Sequence, residues 1–549
     1  MKRSNLLYTL GLSLFVGLSF TSCDDFLDEN PDNRTELDTE DKVISLLTSA
    51  YTSHSYAIIN ECLSDNTDDM GPRYSKYDDR FIKQAYSWSD MTEVDNDGVM
   101  NMWTGCYAAI SVANHALQAI EEMPEPLDSK MKEAKGEALM CRAYHHFLLV
   151  NEFCQNYNVN TSTTDLGIPY MHSVEAGLNP HYERGTVAEV YANIEKDIEE
   201  GLPLVGDTHY SQPKYHFNKQ AAYAFATRFY LFYEKWNKAI ECASICLGTS
   251  PKSLLRDWDE MESYGITNNL DPRTNLYIKA SAKCNFLMTT AISGAGIFFS
   301  NYIMYTKYSH NSFISKNETL EADNIWGNYT MMRCLPLVFK GGTMDRALVA
   351  KTPMMFEEND PVSKTGYYHT VSVPFRADIV LLERAEAYTM LKQYDKACQD
   401  LTAWMQNWTK TSMTLTPEVV KSYYDRMNYY TSFAPTQKRH LYPAFDIDGE
   451  GSVQESMLHC VLNFKRLETI HEGLRWFDVK RYGMTITRRT MNSSSEPEIY
   501  TDSLLVKDPR RAIQLPNQVV IAGMEPNPGQ YGPTQDFKMA GETNDDALD

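Results

Sequence analysis

Beyond residue 23 the chain has no run of 18 apolar residues, so nothing in its body reads as a membrane-spanning helix. Basic residues are not in excess either: 51 Lys and Arg stand against 73 Asp and Glu, a formal net charge of −22. A chain this acidic, without a basic stripe, is a poor fit to phosphate backbones, and nucleic acid is not expected as a partner. The H-E-x-x-H, G-x-S-x-G, Walker and G-x-G-x-x-G patterns are missing, so the motif-borne hydrolase and nucleotide-enzyme readings find no support. The eleven cysteines form no ligand-spaced cluster. Cys242 and Cys246, one helical turn apart, lack the further ligands a zinc site needs and are read as core. Glu93-Val-Asp95-Asn-Asp97-Gly98 opens like a calcium loop, but its twelfth position is Thr104 rather than a bidentate Glu, so it is read as a solvated turn. No metal, cofactor or catalytic residue is expected.

What is present begins with a leader. Lys2 and Arg3 precede the apolar stretch Leu6 to Phe20, and Thr21-Ser22-Cys23 follows, which is the order of a secretory signal. The stretch is too short to span a bilayer core of about 30 Å. Cys23 is placed where a lipoprotein signal puts its acylated cysteine, so residues 1–22 are read as a lipoprotein signal peptide and 23–40 as a lipidated tether. Acyl chains at about 0.8 kcal/mol per buried CH₂ can hold a soluble body on a membrane.

Helical periodicity dominates that body. Val43, Ile44, Leu46, Leu47 and Ala50 follow Thr39 as N-cap, and Trp103, Tyr107, Ile110, Ala113, Leu117 and Ile120 repeat at helical spacing up to Pro124. Glu133 to Phe153 forms a third long helix, and Thr186 with Glu189 is a capping box opening Val187–Leu202. Two segments repeat at an offset of 158: Tyr230, Trp236 and Ala239 recur as Tyr388, Tyr394 and Ala397, each second aromatic followed by Asn/Asp-Lys-Ala. That is the pattern of tetratricopeptide-like helix pairs. The expected fold is mainly α: a helix-pair scaffold (41–260 and 371–549) interrupted at 261–370 by a loop-rich, irregular insertion rich in Gly, Asn, Ser, Thr and Tyr. Such an insertion on a stiff scaffold is where ligand contacts are expected.

Several ordered motifs then resemble the SusD/RagB family of surface lipoproteins. They are Cys23-Asp24-Asp25-Phe26-Leu27, Trp103-x₃-Tyr107-x₂-Ile110 with Ala113-Asn114, and Glu137-Ala138 leading to Arg142-Ala143-Tyr144-x₂-Phe147. Gly167-Ile168-Pro169-Tyr170, Arg466-Leu467-Glu468, Glu472 to Gly483 and Pro526-Asn527-Pro528-Gly529 complete the order. Phe20 in the lipobox and Cys154-Gln155 depart from the family pattern. The resemblance implies a lipid-anchored outer-membrane protein, exposed at the cell surface, that binds oligosaccharide or polysaccharide and delivers it to a SusC-like TonB-dependent transporter. The alternative is a peptide- or protein-capturing member of the same fold, with a surface glycosidase third.

Sugar sites combine aromatic faces with a few polar anchors. Candidate contacts are therefore Asn66, Asp69, Arg73, Tyr74, Tyr77 and Trp88 before the Trp103 helix, and Tyr302, Tyr305, Trp326 and Tyr329 in the insertion. Trp103, Trp236 and Trp476 are assigned to packing. Glu472 and Arg475 are placed by helical spacing on one face, with Glu468 extending it, as a structural ion-pair set.

Overall fold

The computed structural model describes residues 37–71, 80–175, 182–265, 270–301, 306–341, 344–360 and 362–529. Long helices form the body. Val99–Glu121, Ser129–Phe153 and Val187–Gly201 pack in succession, followed by the pairs Lys219–Phe232 with Trp236–Leu247 and Ala377–Met390 with Tyr394–Trp408. Val453–Thr469 packs across the second pair. Thr186 caps as its sequence predicts: its Oγ1 accepts from Glu189 N at 3.2 Å, and its own N donates to Glu189 Oε2 at 2.8 Å. Buried bidentate arginines rivet neighbouring helices, Arg142 to Asp197 and Arg384 to Asp400, at 2.7–2.8 Å. Among the described residues no helix is long and apolar enough to cross a membrane.

The offset-158 repeat extends to the backbone. The first helix of each pair ends with a left-handed residue, Glu234 (φ 59°) in one and Lys392 (φ 56°) in the other. The two amides at each corner bond back identically. Glu234 N reaches Leu231 O and Lys235 N reaches Tyr230 O; Lys392 N reaches Thr389 O and Gln393 N reaches Tyr388 O. This is a Schellman corner built without glycine. Ala239 and Ala397, fully buried, let each second helix lie close to its partner.

The insertion expected to be irregular carries strands. β1 (Asp68–Asp69), β3 (Tyr308–Ser309), β8 (Ile486–Met491) and β9 (Pro497–Leu504) form one sheet in the order β3-β1-β8-β9. β2 (Asn285–Ala291), β7 (Thr365–Arg376) and β6 (Met355–Asp360) form another in the order β2-β7-β6, and β4 (Leu337–Phe339) pairs with β5 (Arg346–Leu348). Pro374 sits inside β7 where the register with β2 shifts, a place that tolerates a missing N–H.

One local reading is refined and one corrected. The turn 93–98 is exposed at Glu93, Val94 and Asn96, but Asp97 within it is buried, and its carboxylate accepts from Ser293 Oγ and, at 2.7 Å, from Gly294 N, clasping the insertion to the helical body. Glu472 and Arg475 do not share a helix face, because the helix ends at Thr469 and a new one starts at Arg475. His471 (φ 72°) and Gly473 (φ 76°) turn the chain between them, and a Cβ on Gly473 would lie 3.0 Å from Ala57 and Asn60. Arg376 therefore takes both Glu468 and Glu472, while Arg475 turns to Asp65.

Trp103 and Trp476 are buried, and Trp236 packs edge-on against Phe445. All ten described cysteines are free thiols; all but Cys334 are buried, Cys242 and Cys246 among them. Burial pushes the Cys106 and Cys242 thiols up to about 12, so they behave as small hydrophobes.

Candidate ligand-binding site

A cleft opens between the helical body and the sheet β2-β7-β6. It has a volume of about 780 Å³, counting the part open to solvent, between the segment 52–57, Tyr144 and His145, Thr289 of β2 and residues 371–376 of β7. At its floor Glu472 accepts from Tyr277 Oη at 2.6 Å and from Arg376 at 2.7 and 3.0 Å, with Lys351 Nζ 3.6 Å away. Burial pulls the Lys351 ammonium below its ordinary value, although the Glu472 carboxylate opposes that shift. Both Glu472 oxygens are engaged, so this charge set braces the floor of the cleft.

From the cleft wall β7 runs outward and, with β6, becomes a hairpin exposed on both faces. The register pairs Phe356 with Tyr368 and Glu357 with Tyr367. Phe356 and Tyr368, 47% and 45% exposed, hold their ring centroids 5.2 Å apart at 63°. Gly366 makes room for this: a Cβ there would lie 2.8 Å from Phe356 Cζ. On the other face Tyr367 Oη donates to Glu357 Oε2 at 2.9 Å. Two aromatic rings are thus held in water as a shallow platform on one face of the hairpin, with Glu357 and Tyr367 on the other. Sequence reasoning missed this pair, although Thr365 to Phe375 carries the β-branched and aromatic enrichment of a strand.

Three predicted contacts are corrected. Trp88 is 2% exposed, donates from Nε1 to Leu63 O at 2.9 Å and lies 3.9 Å beneath the Arg488 guanidinium. Trp326, 7% exposed, packs on Phe464 and Trp404. Asn66 is fully buried between Glu61 and Arg466. None presents a face to solvent, because elements distant in sequence cover them. Asp69 is half-buried near Lys307 (3.7 Å), and Tyr329 is 37% exposed in the short turn Tyr329–Met331. Arg73, Tyr74, Tyr77, Tyr302, Tyr305 and Cys23 lie outside the described residues. The described flanks of the two tyrosine-bearing segments meet: β1 pairs with β3, and Met70 N donates to Lys307 O at 2.7 Å.

Residues 25–231 match a SusD-like family model described as starch-binding associating with outer membrane. Among solved structures, a SusD superfamily protein from Bacteroides thetaiotaomicron is similar at a TM-score of 0.62 and 17% identity, covering 89% of this chain and 100% of its own. A SusD superfamily protein from Bacteroides fragilis matches at 0.58 and 17%, covering 88% and 97%. A SusD-like carbohydrate binding protein from Bacteroides vulgatus matches at 0.59 and 15%, covering 91% and 99%. No curated protein matches the chain. The chain is SusD-like, in sequence over 25–231 and in fold over about nine tenths of its length.

Proposed function

We propose that this SusD-like chain is a lipid-anchored protein of the outer cell surface that captures oligosaccharide or polysaccharide, transforms nothing, and passes it to a SusC-like TonB-dependent transporter. The observation that carries the reading is the solvent-exposed Phe356–Tyr368 pair on a hairpin rooted in the cleft wall. The starch-binding, outer-membrane description of the matched family and the carbohydrate-binding name of a structural neighbour support it. Sugar rings would stack their C–H faces on Phe356 and Tyr368. Arg73, Tyr74, Tyr77, Tyr302 and Tyr305 belong to the same proposal as a second contact region, since the described flanks of their segments converge at the β1–β3 pair. Asp69 and Tyr329 join them as polar and aromatic contacts.

The test is affinity electrophoresis of residues 24–549 on a panel of polysaccharides. Replacing Phe356 and Tyr368 together by Ala is expected to weaken retention about tenfold, the effect of ~1.4 kcal/mol. The melting temperature is expected to stay within about 2 °C, because exposed positions change stability little. Retention equal to the parent's would remove the platform from the reading. A separate experiment concerns the anchor: Cys23→Ser is expected to abolish labelling by an alkyne fatty acid and release the chain into the soluble fraction, whereas unchanged labelling would refute lipidation at Cys23.

A further inference from the structure

A second cavity, about 290 Å³ with its open part, is lined by Arg439, Arg466, Arg475, Glu318, Gln437 and Asn463 among others. Its enclosed part leaves about 10 Å³ for the centre of a water-sized body, room for one small occupant.

The charges around it do not balance. Arg439, Arg466, Arg475 and Arg489 are all buried, and the carboxylates paired with them are Asp65, Asp68 and Glu318. Glu318 accepts from Arg439 at 2.9 Å, from Arg466 at 3.1 Å and from Arg489 at 3.1 Å. Asp65 takes both Nε and Nη2 of Arg475, at 2.8 and 2.9 Å. Four guanidiniums thus share three carboxylates. Glu61, joined to the group through Asn66, does not cancel the surplus in full, because burial pushes its carboxyl up to about 7.

Donors also remain unused at the cavity. Arg439 Nε is buried and has no hydrogen-bond partner among the described residues, and the Asp65 pair engages Nε and Nη2 of Arg475 rather than Nη1. A buried N–H of a charged group left unmet costs more than a neutral one. Water could accept from these donors but would leave the surplus charge uncompensated.

We infer that this cavity is a binding site for a small monovalent anion of halide size, held by Arg439 and Arg475. Arg439 comes from the loop before the Val453–Thr469 helix, Arg475 follows that helix, and Glu318 belongs to the insertion. The anion would complete a joint between insertion and helical body at the root of β1. This assignment is independent of what the outer surface captures.

The experiment uses the full chain in detergent, its melting temperature followed at constant ionic strength while sodium gluconate is exchanged for sodium bromide. A saturating rise of about 2 °C is expected. Arg439→Gln, which removes the surplus charge, is expected to abolish the rise. Crystals grown in bromide should show an anomalous peak between Arg439 and Arg475. This arm decides the matter should the variant fail to fold. A flat melting curve, a variant that keeps the parent's bromide dependence, or a cavity holding water alone in bromide crystals would each overturn the assignment.

Discussion

Trp88→Ala is expected to cost about 3–5 kcal/mol, and Trp88→Gly about 1 kcal/mol less, despite removing one more carbon. The first figure is the usual penalty for emptying a buried indole site. The second follows from the backbone. Trp88 has φ 51° and stands immediately beyond the cap of the helix Phe81–Tyr86. Its N reaches Ala85 O at 3.1 Å and Ser89 N reaches Gln84 O at 3.0 Å, a Schellman corner where glycine is normally found. A residue bearing a Cβ pays about 1 kcal/mol there. The chain tolerates it because the indole is clamped between Leu63 O and the Arg488 guanidinium. Urea midpoints of the two variants check the order. Alanine matching the parent, or outlasting glycine, would contradict this account of the corner.

Glu318→Gln is expected to be comparably damaging, about 3–5 kcal/mol, because it removes the one carboxylate that three buried guanidiniums share. The exposed pair Lys364–Glu358 provides the contrast. Its lysine side chain is 72% exposed, so Glu358→Gln is expected to shift the midpoint by less than about 0.5 kcal/mol. Both variants keep the shape of the parent residue, so the comparison isolates burial. Equal effects would mean that the Asp65–Glu318 network contributes no more than a surface ion pair.

The scaffold was readable because its determinants are local. A capping box needs only Thr186 and Glu189, and the recurring Tyr230/Tyr388, Trp236/Tyr394 and Ala239/Ala397 positions define helix pairs without long-range knowledge. Burial of irregular segments is different. Trp88 is covered by Arg488, and Asn66 is fixed by Arg466, each about 400 residues away. Polar neighbours in sequence therefore suggested surface where tertiary packing made core. The platform at Phe356 failed to show for a related reason. Which side chains oppose one another across a hairpin depends on register, and Gly366 beneath a ring reads in sequence as no more than a turn former.

β7 behaves as a cantilever. Its inner end is Arg376, gripped by Glu468 and Glu472, and its outer end carries Tyr368 beside Phe356. In the proposed capture, rings mounted on such a beam would be set before a sugar lands on them, so little freedom would be forfeited and affinity would lose little to ordering. Any load on the tip is borne by the helical trunk rather than absorbed by a yielding loop.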